Sequence, residues 1–115
     1  MSEHCVFCKI LAGEIPGDFV YRDNEIAAFR DINPVAPTHI LILPVQHIES
    51  VQNLRSEDEG LVGRMILRAK ALAEQEGISE RGYRLVINAG PDGGQVVPHL
   101  HMHLIGGRSL GSRLS

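Results

Sequence analysis

Between His99 and Leu104 the chain alternates imidazole and apolar side chains without a break. A period of two belongs to a β-strand, whose successive side chains point to opposite faces. A strand here puts His99, His101 and His103 on one face and Leu100, Met102 and Leu104 on the other, against a core. The chain must therefore build a sheet with one face on apolar packing and the other on a site or on solvent. With 115 residues, 43% of them hydrophobic and 22% charged, it has the size and composition of one globular domain, residues 1–115. Imidazole is also unusually dense: six His against three Phe, two Tyr and no Trp.

The flanking sequence supplies the other elements. Phe7, Ile10, Leu11 and Ile15 have helical spacing, with Gly13 as a left-handed stop. Pro16-Gly17 marks a turn, and Phe19–Tyr21 with Ile26–Phe29 flank Asp23-Asn24 as a hairpin. Asn33–Pro37 is a rigid loop, and His39-Ile-Leu-Ile-Leu43 is apolar enough to be a central strand. Ser56 with Glu59 forms an S-x-x-E capping box. It precedes one long helix whose stripe is Leu61, Val62, Met65, Ile66, Ala69, Leu72 and Ala73, with Gly77 as its stop. Tyr83–Asn88 and Val96–Ile105 are two more strands joined by a tight Gly90–Gly94 turn. The order predicts an α+β domain with a mainly antiparallel sheet.

Charge and hydropathy exclude several classes. Eleven Lys and Arg against fourteen Asp and Glu give a formal charge of −3, the wrong sign for general nucleic-acid binding. No apolar run approaches the ~20 residues of a membrane span, and the N-terminus lacks the pattern of a signal peptide. A cytoplasmic location is expected. Cys5 and Cys8 read as two free thiols or as half of a metal site.

The three imidazoles admit three readings. A shared zinc requires three nitrogens at roughly 2.0–2.1 Å from one ion. Neighbours at i and i+2 converge readily, but the outer pair of a regular strand is separated by about 13 Å, at ~3.3 Å per residue. Three solvated histidines would leave the dense placement without a use. The reading best supported is a row of donors and a nucleophile facing an anion. Asp92-Gly-Gly-Gln95 leads into the strand, and glycines there let backbone N–H groups form a nest for a phosphate. Asn88 either reaches the same anion or caps the turn.

His99-Leu-His101-Met-His103-Leu-Ile resembles the signature of the histidine triad (HIT) family. Phe7-Cys-Lys-Ile10, Gly13-Glu-Ile-Pro16, Ala28-Phe-Arg-Asp-Ile32, Ala36-Pro-Thr-His-Ile-Leu-Ile-Leu-Pro44, Gly82-Tyr-Arg-Leu85, Gly93-Gly-Gln95 and Gly106-Gly-Arg108 are similar, in order, to its Hint branch. That resemblance covers nearly the whole chain. It implies a five-stranded antiparallel sheet with one long and one short helix, paired in a homodimer through a ten-stranded sheet. It implies hydrolysis of purine nucleoside phosphoramidates and aminoacyl adenylates through a nucleotidyl-histidine intermediate, with AMP or GMP as the nucleotide and no metal in the chemistry. His101 is then the nucleophile, flanked by His99 and His103 and supported by His39. Asn88, Gly94, Gln95, Val96 and Val97 would surround the phosphate, Gln95 toward the leaving group. Asp31 would hold the ribose, and Ile10, Phe29, Ile32 and Leu41 the base.

The resemblance further implies a structural zinc on Cys5, Cys8, His47 and His99, with His4 as a substitute ligand. The alternatives are dinucleoside polyphosphate hydrolysis or nucleotidyl transfer by the same nucleophile, and a non-catalytic nucleotide-binding module. Val96 stands where many relatives carry a polar residue, and Pro98 replaces an aromatic and removes a strand donor. Only seven residues follow Arg108. The first departure bears on rate and leaving-group preference, and the short tail on substrate preference.

Overall fold

A computed structural model describes residues 5–114, which leaves His4 outside the described residues. The elements run α1 (Val6–Leu11), β1 (Phe19–Arg22), β2 (Ile26–Arg30), β3 (Thr38–Pro44), α2 (Glu59–Gln75), β4 (Tyr83–Ile87) and β5 (Met102–Gly106). The five strands form one sheet in the order β1-β2-β3-β5-β4, and every neighbouring pair is antiparallel. The α+β class, the five-stranded antiparallel sheet and the long and short helices expected from the sequence are all present.

Strand β3 is buried along its whole length, as its unbroken apolar run requires of a central strand. Ile40 and Ile42 face one core with Met102, Leu104 and the α2 residues Met65, Ala69 and Leu72. Leu41 and Leu43 face a second core with Phe29 and the α1 residues Phe7, Cys8 and Leu11. The sheet is thus covered by α2 on one face and by α1 on part of the other. The β1–β2 turn is organised by Asp23, whose Oδ1 accepts the N–H groups of Glu25 and Ile26.

Both helices stop at glycine. Gly77 has φ 76°. Its N–H donates to the Glu74 carbonyl and that of Ile78 to the Ala73 carbonyl, the paired bonds of a Schellman stop. The start of α2 differs from the expected Ser56–Glu59 box. Ser56–Asp58 form a 3-10 turn, and the Asp58 carboxylate accepts the Arg55 N–H at 2.9 Å. One residue of shift places Asp58, not Glu59, within reach. The buried stripe of α2 is also narrower than expected, because Ile66 is 48% exposed and Val62 only half-buried.

The last strand begins at Met102 and not at Val96. Pro98 carries no N–H. Beyond it His99 N–H turns back to the Val97 carbonyl at 2.8 Å and Leu100 N–H donates to Ile48 at 2.7 Å. The segment before β5 is therefore held by the loop after β3, not by the ladder. The alternation of faces survives: Leu100, Met102 and Leu104 are all buried in the α2-side core.

Met65 is fully buried where α2 crosses the sheet. Met65→Ala is expected to destabilise the fold by about 2–5 kcal/mol, read as a lower urea midpoint at unchanged m-value.

Candidate active site

On the α1 face, the sheet carries a cleft of about 1230 Å³. Its floor includes Ile10 from α1, Phe29 from β2 and Leu41 from β3, and its far side includes Asn88, Gly94 and Val97. Asp31 lines it just beyond β2. Ile32 and Val96 form an apolar rim, each 90% exposed. His39, His101 and His103 also line it. His99 and Gln95 are the two expected residues of the nucleotide and triad sets that do not.

Register explains the histidine geometry. Leu41 pairs with His103 and His39 with Ile105, so His39 and His103 are diagonal neighbours on one face. His39 Nε2 lies 2.9 Å from His103 Nδ1. The Val35 N–H donates to His39 Nδ1 at 3.2 Å. His39 Nδ1 is therefore an acceptor, and in the neutral ring the proton sits on Nε2. That proton is given to His103 Nδ1, and Asp31 Oδ2 lies 3.5 Å from His39 Nε2. His103 in turn keeps its own proton on Nε2. Asp31, His39 and His103 stand close enough for a metal, yet this hydrogen-bond direction puts a proton where a metal would need the His39 lone pair.

The tautomer of His101 follows in the same way. Its Nδ1–H donates to the His99 carbonyl at 2.7 Å, which leaves the lone pair on Nε2. The His101 and His103 rings are 5.1 Å apart between centroids. Phe7 from α1 packs edge-on against His101 at 5.0 Å. Burial pushes the His101 imidazole below its ordinary range despite the carbonyl that favours its charged form. Burial, followed by repulsion from His101 and His39, pushes His103 down to about 4. Both rings are neutral at pH 7.

His99 is directed elsewhere, so only two of the three triad imidazoles face the cleft. Its ring is wholly buried, and its Nε2–H donates to the Pro44 carbonyl at 2.8 Å. Its Nδ1 lone pair faces Cys5 Sγ at 3.3 Å and Cys8 Sγ at 3.6 Å. His47 Nδ1 is 3.3 Å from Cys8 Sγ. The four ligand atoms all lie within 4.8 Å of one another. In a tetrahedral zinc site, sulfur at about 2.3 Å and nitrogen at about 2.0–2.1 Å stand about 3.6 Å apart. The donor set, the spacing and the fixed His99 tautomer all fit zinc.

The glycine turn is built differently from the expected nest. The N–H groups of Gly93, Gly94 and Gln95 donate to Gly90, Pro91 and Gly90 carbonyls. A Cβ on Gly93 would meet the Ala89 carbonyl oxygen at 2.3 Å, so the tight turn itself demands glycine there. Gln95 spends its amide on the loop: Oε1 accepts the Gly90 N–H, and Nε2 donates to the Glu49 and Val97 carbonyls. Asn88 Nδ2 donates to the Gly93 carbonyl at 2.8 Å, so it braces the turn while lining the cleft. The N–H groups of Val96 and Val97 donate to no group among the described residues.

Two further participants had no distinctive sequence signal. Val35 sets the His39 tautomer through its N–H, which only the folded loop reveals. Phe7 reads as core, although it lies three residues from Ile10 on the same helix face.

The sequence model described as "HIT domain" matches residues 12–110. The chain belongs to the HIT family. It is 54% identical over 115 residues to the purine nucleoside phosphoramidase of Escherichia coli K12, covering 100% of this chain and 97% of that protein. The solved HIT family hydrolase from Clostridium thermocellum superposes with a TM-score of 0.96 at 42% identity, covering all of both chains. The HIT family hydrolase from Legionella pneumophila Philadelphia 1 gives 0.91 at 51% identity, covering 94% of this chain and 96% of that one. The family expected from the triad and its flanking motifs is thus the family found.

These depressed imidazoles set a pH dependence. The unfolded chain takes up protons below about 6.5, whereas folded His103 resists protonation until about 4. Its contribution to stability is complete above pH 6.5 and is lost as pH falls toward 4. Thermal midpoints should decrease across that window, and the acid limb of kcat/KM should lie below 6.5.

Proposed function

We propose that this HIT family member is a purine nucleoside phosphoramidase in which His101 attacks phosphorus. The observation that carries the reading is the His101 tautomer, with Nδ1–H given to the His99 carbonyl and a neutral Nε2 lone pair in the cleft. A neutral imidazole is nucleophilic at pH 7 and leaves readily once bonded to phosphorus.

In the first step a bond forms between His101 Nε2 and phosphorus while the bond from phosphorus to the amine breaks. The electron pair leaves on the amine nitrogen, which takes up a proton from solvent. In the second step water attacks phosphorus and returns a proton to solvent, the His101 bond breaks and the nucleoside monophosphate is released. His103 Nε2–H donates to a phosphoryl oxygen or to the departing group, and His39 holds His103 in that tautomer. The N–H groups of Val96 and Val97 donate to phosphoryl oxygens. Asn88 and Gly94 flank the phosphate, with Gln95 holding the loop around it. Asp31 accepts the ribose hydroxyls, and Ile10, Phe29, Ile32 and Leu41 enclose a purine. Aminoacyl adenylates fit the same phosphorus chemistry.

Cys5, Cys8, His47 and His99 hold a structural zinc in this reading. When bound, it cross-links α1 to the segments before β5 and after β3, with no coordination position left for substrate. The paired thiols suit a reducing compartment, the cytoplasm. No helix among the described residues is long and apolar enough to cross a membrane. Strand β4 is a sheet edge with Leu85 and Ile87 about two-fifths exposed, which suits pairing with a second copy as a homodimer.

His101→Asn should abolish turnover of adenosine 5′-phosphoramidate while AMP still binds. Mass spectrometry of wild-type protein quenched during turnover should find an adenylyl group on His101. Full activity in the variant would overturn the assignment, and faster cleavage of diadenosine polyphosphate would favour that substrate instead. Elemental analysis should find about one zinc per chain, and stripping it with a strong chelator should lower the melting temperature.

A further inference from the structure

We infer that the Cys5–Cys8–His47–His99 cluster positions the nucleophile, holding His101 in its tautomer and place through the His99 carbonyl and the Phe7 ring. The inference rests on the zinc and phosphoramidase readings above and adds a coupling between the two sites.

Two routes lead from the cluster to His101. The first is the backbone. The carbonyl that accepts His101 Nδ1–H belongs to His99, which precedes the ladder, since β5 begins at Met102. Strand pairing does not hold that carbonyl. The His99 side chain does, because its buried ring is tied at both nitrogens, to the Pro44 carbonyl and to the two thiols. The neighbouring Leu100 N–H is held by the carbonyl of Ile48, the residue after His47. A cluster ligand therefore stands beside each anchor of the segment that aims His101.

The second route is α1. Six residues are too few to form a stable helix alone. Cys5 caps its start, accepting the Cys8 N–H on Sγ at 3.3 Å, and Cys8 lies within it. Phe7, between them, meets His99 at 5.9 Å and His101 at 5.0 Å, both edge-on. Joining the two thiols to His47 and His99 fixes the helix, and the helix presses one ring against the nucleophile. Without that closure His101 gains access to its other tautomer, whose lone pair lies on Nδ1 and faces the His99 carbonyl.

A purely stabilising metal would alter the melting temperature and leave the tautomer alone, which separates the two roles. The test uses His47→Ala, whose side chain lies outside the cleft, stripped of zinc by chelator, beside wild type and His47→Cys. Nitrogen-15 NMR of the imidazoles at pH 7.5 should show His101 as one Nδ1–H tautomer in wild type and as a mixture in His47→Ala. His47→Cys, reloaded with zinc, should restore the single tautomer. The stripped variant should lose roughly 10–100-fold in kcat, the scale of removing an orienting partner, at little change in KM. An unchanged tautomer in folded, zinc-free His47→Ala overturns the inference whatever happens to kcat. Should that variant fail to fold, wild type before and after chelation replaces it. His101 should pass from one tautomer to a mixture when zinc is stripped and return when it is restored, and a single tautomer in the folded, stripped protein overturns the inference. The phosphoramidase reading is judged separately, by His101→Asn and the adduct.

Discussion

The pairing of β3 with β5 is the interaction on which the rest depends. Its register sets Leu41 against His103 and His39 against Ile105. Because alternate residues share a face, that one register sends Ile40, Ile42, Met102 and Leu104 to the α2 core while sending His39 and His103 to the cleft. A slip by one residue would bury imidazoles under α2 and turn the core outward. The chemistry therefore inherits its alignment from hydrophobic packing on the opposite side of the sheet.

Burial sets the electrical state of the cleft. Desolvation keeps His101 and His103 neutral, and hydrogen bonds decide which nitrogen holds each proton. Two of those bonds come from backbone groups, the Val35 N–H and the His99 carbonyl, and His39 passes the first on to His103. Fixed dipoles of this kind need little reorganisation when charge develops in the cleft. The same logic at His99 gives the opposite result: its proton points to Pro44 and its lone pair to sulfur.

Much of this was legible in the residues. The apolar run of β3, the hairpin around Asp23, the long amphipathic helix and its Gly77 stop all follow local rules. The alternation of His99 to Leu104 assigned the faces correctly even though half of the segment is not strand. Other features depended on contacts that no local pattern encodes. Pro98 and the Ile48 carbonyl delayed β5, and Asp58 took the capping role from Glu59. Gln95 was drawn into bracing the loop by carbonyls nearly fifty residues away in sequence as well as nearby. The glycine turn consumed its own N–H groups, so the free donors fall one step later, at Val96 and Val97.

The two rim residues have a different kind of consequence. Ile32 and Val96 face the cleft yet are almost fully solvated, so neither supports the core. Exchanges at such exposed positions change folding stability by only about 0.5 kcal/mol in either direction. The protein can thus vary what meets an incoming molecule at the mouth while keeping its buried imidazoles, their tautomers and its sheet. Ligand preference is free to drift among descendants of this fold without a matching loss of foldedness, and Val96 marks a position where that drift is easily accommodated.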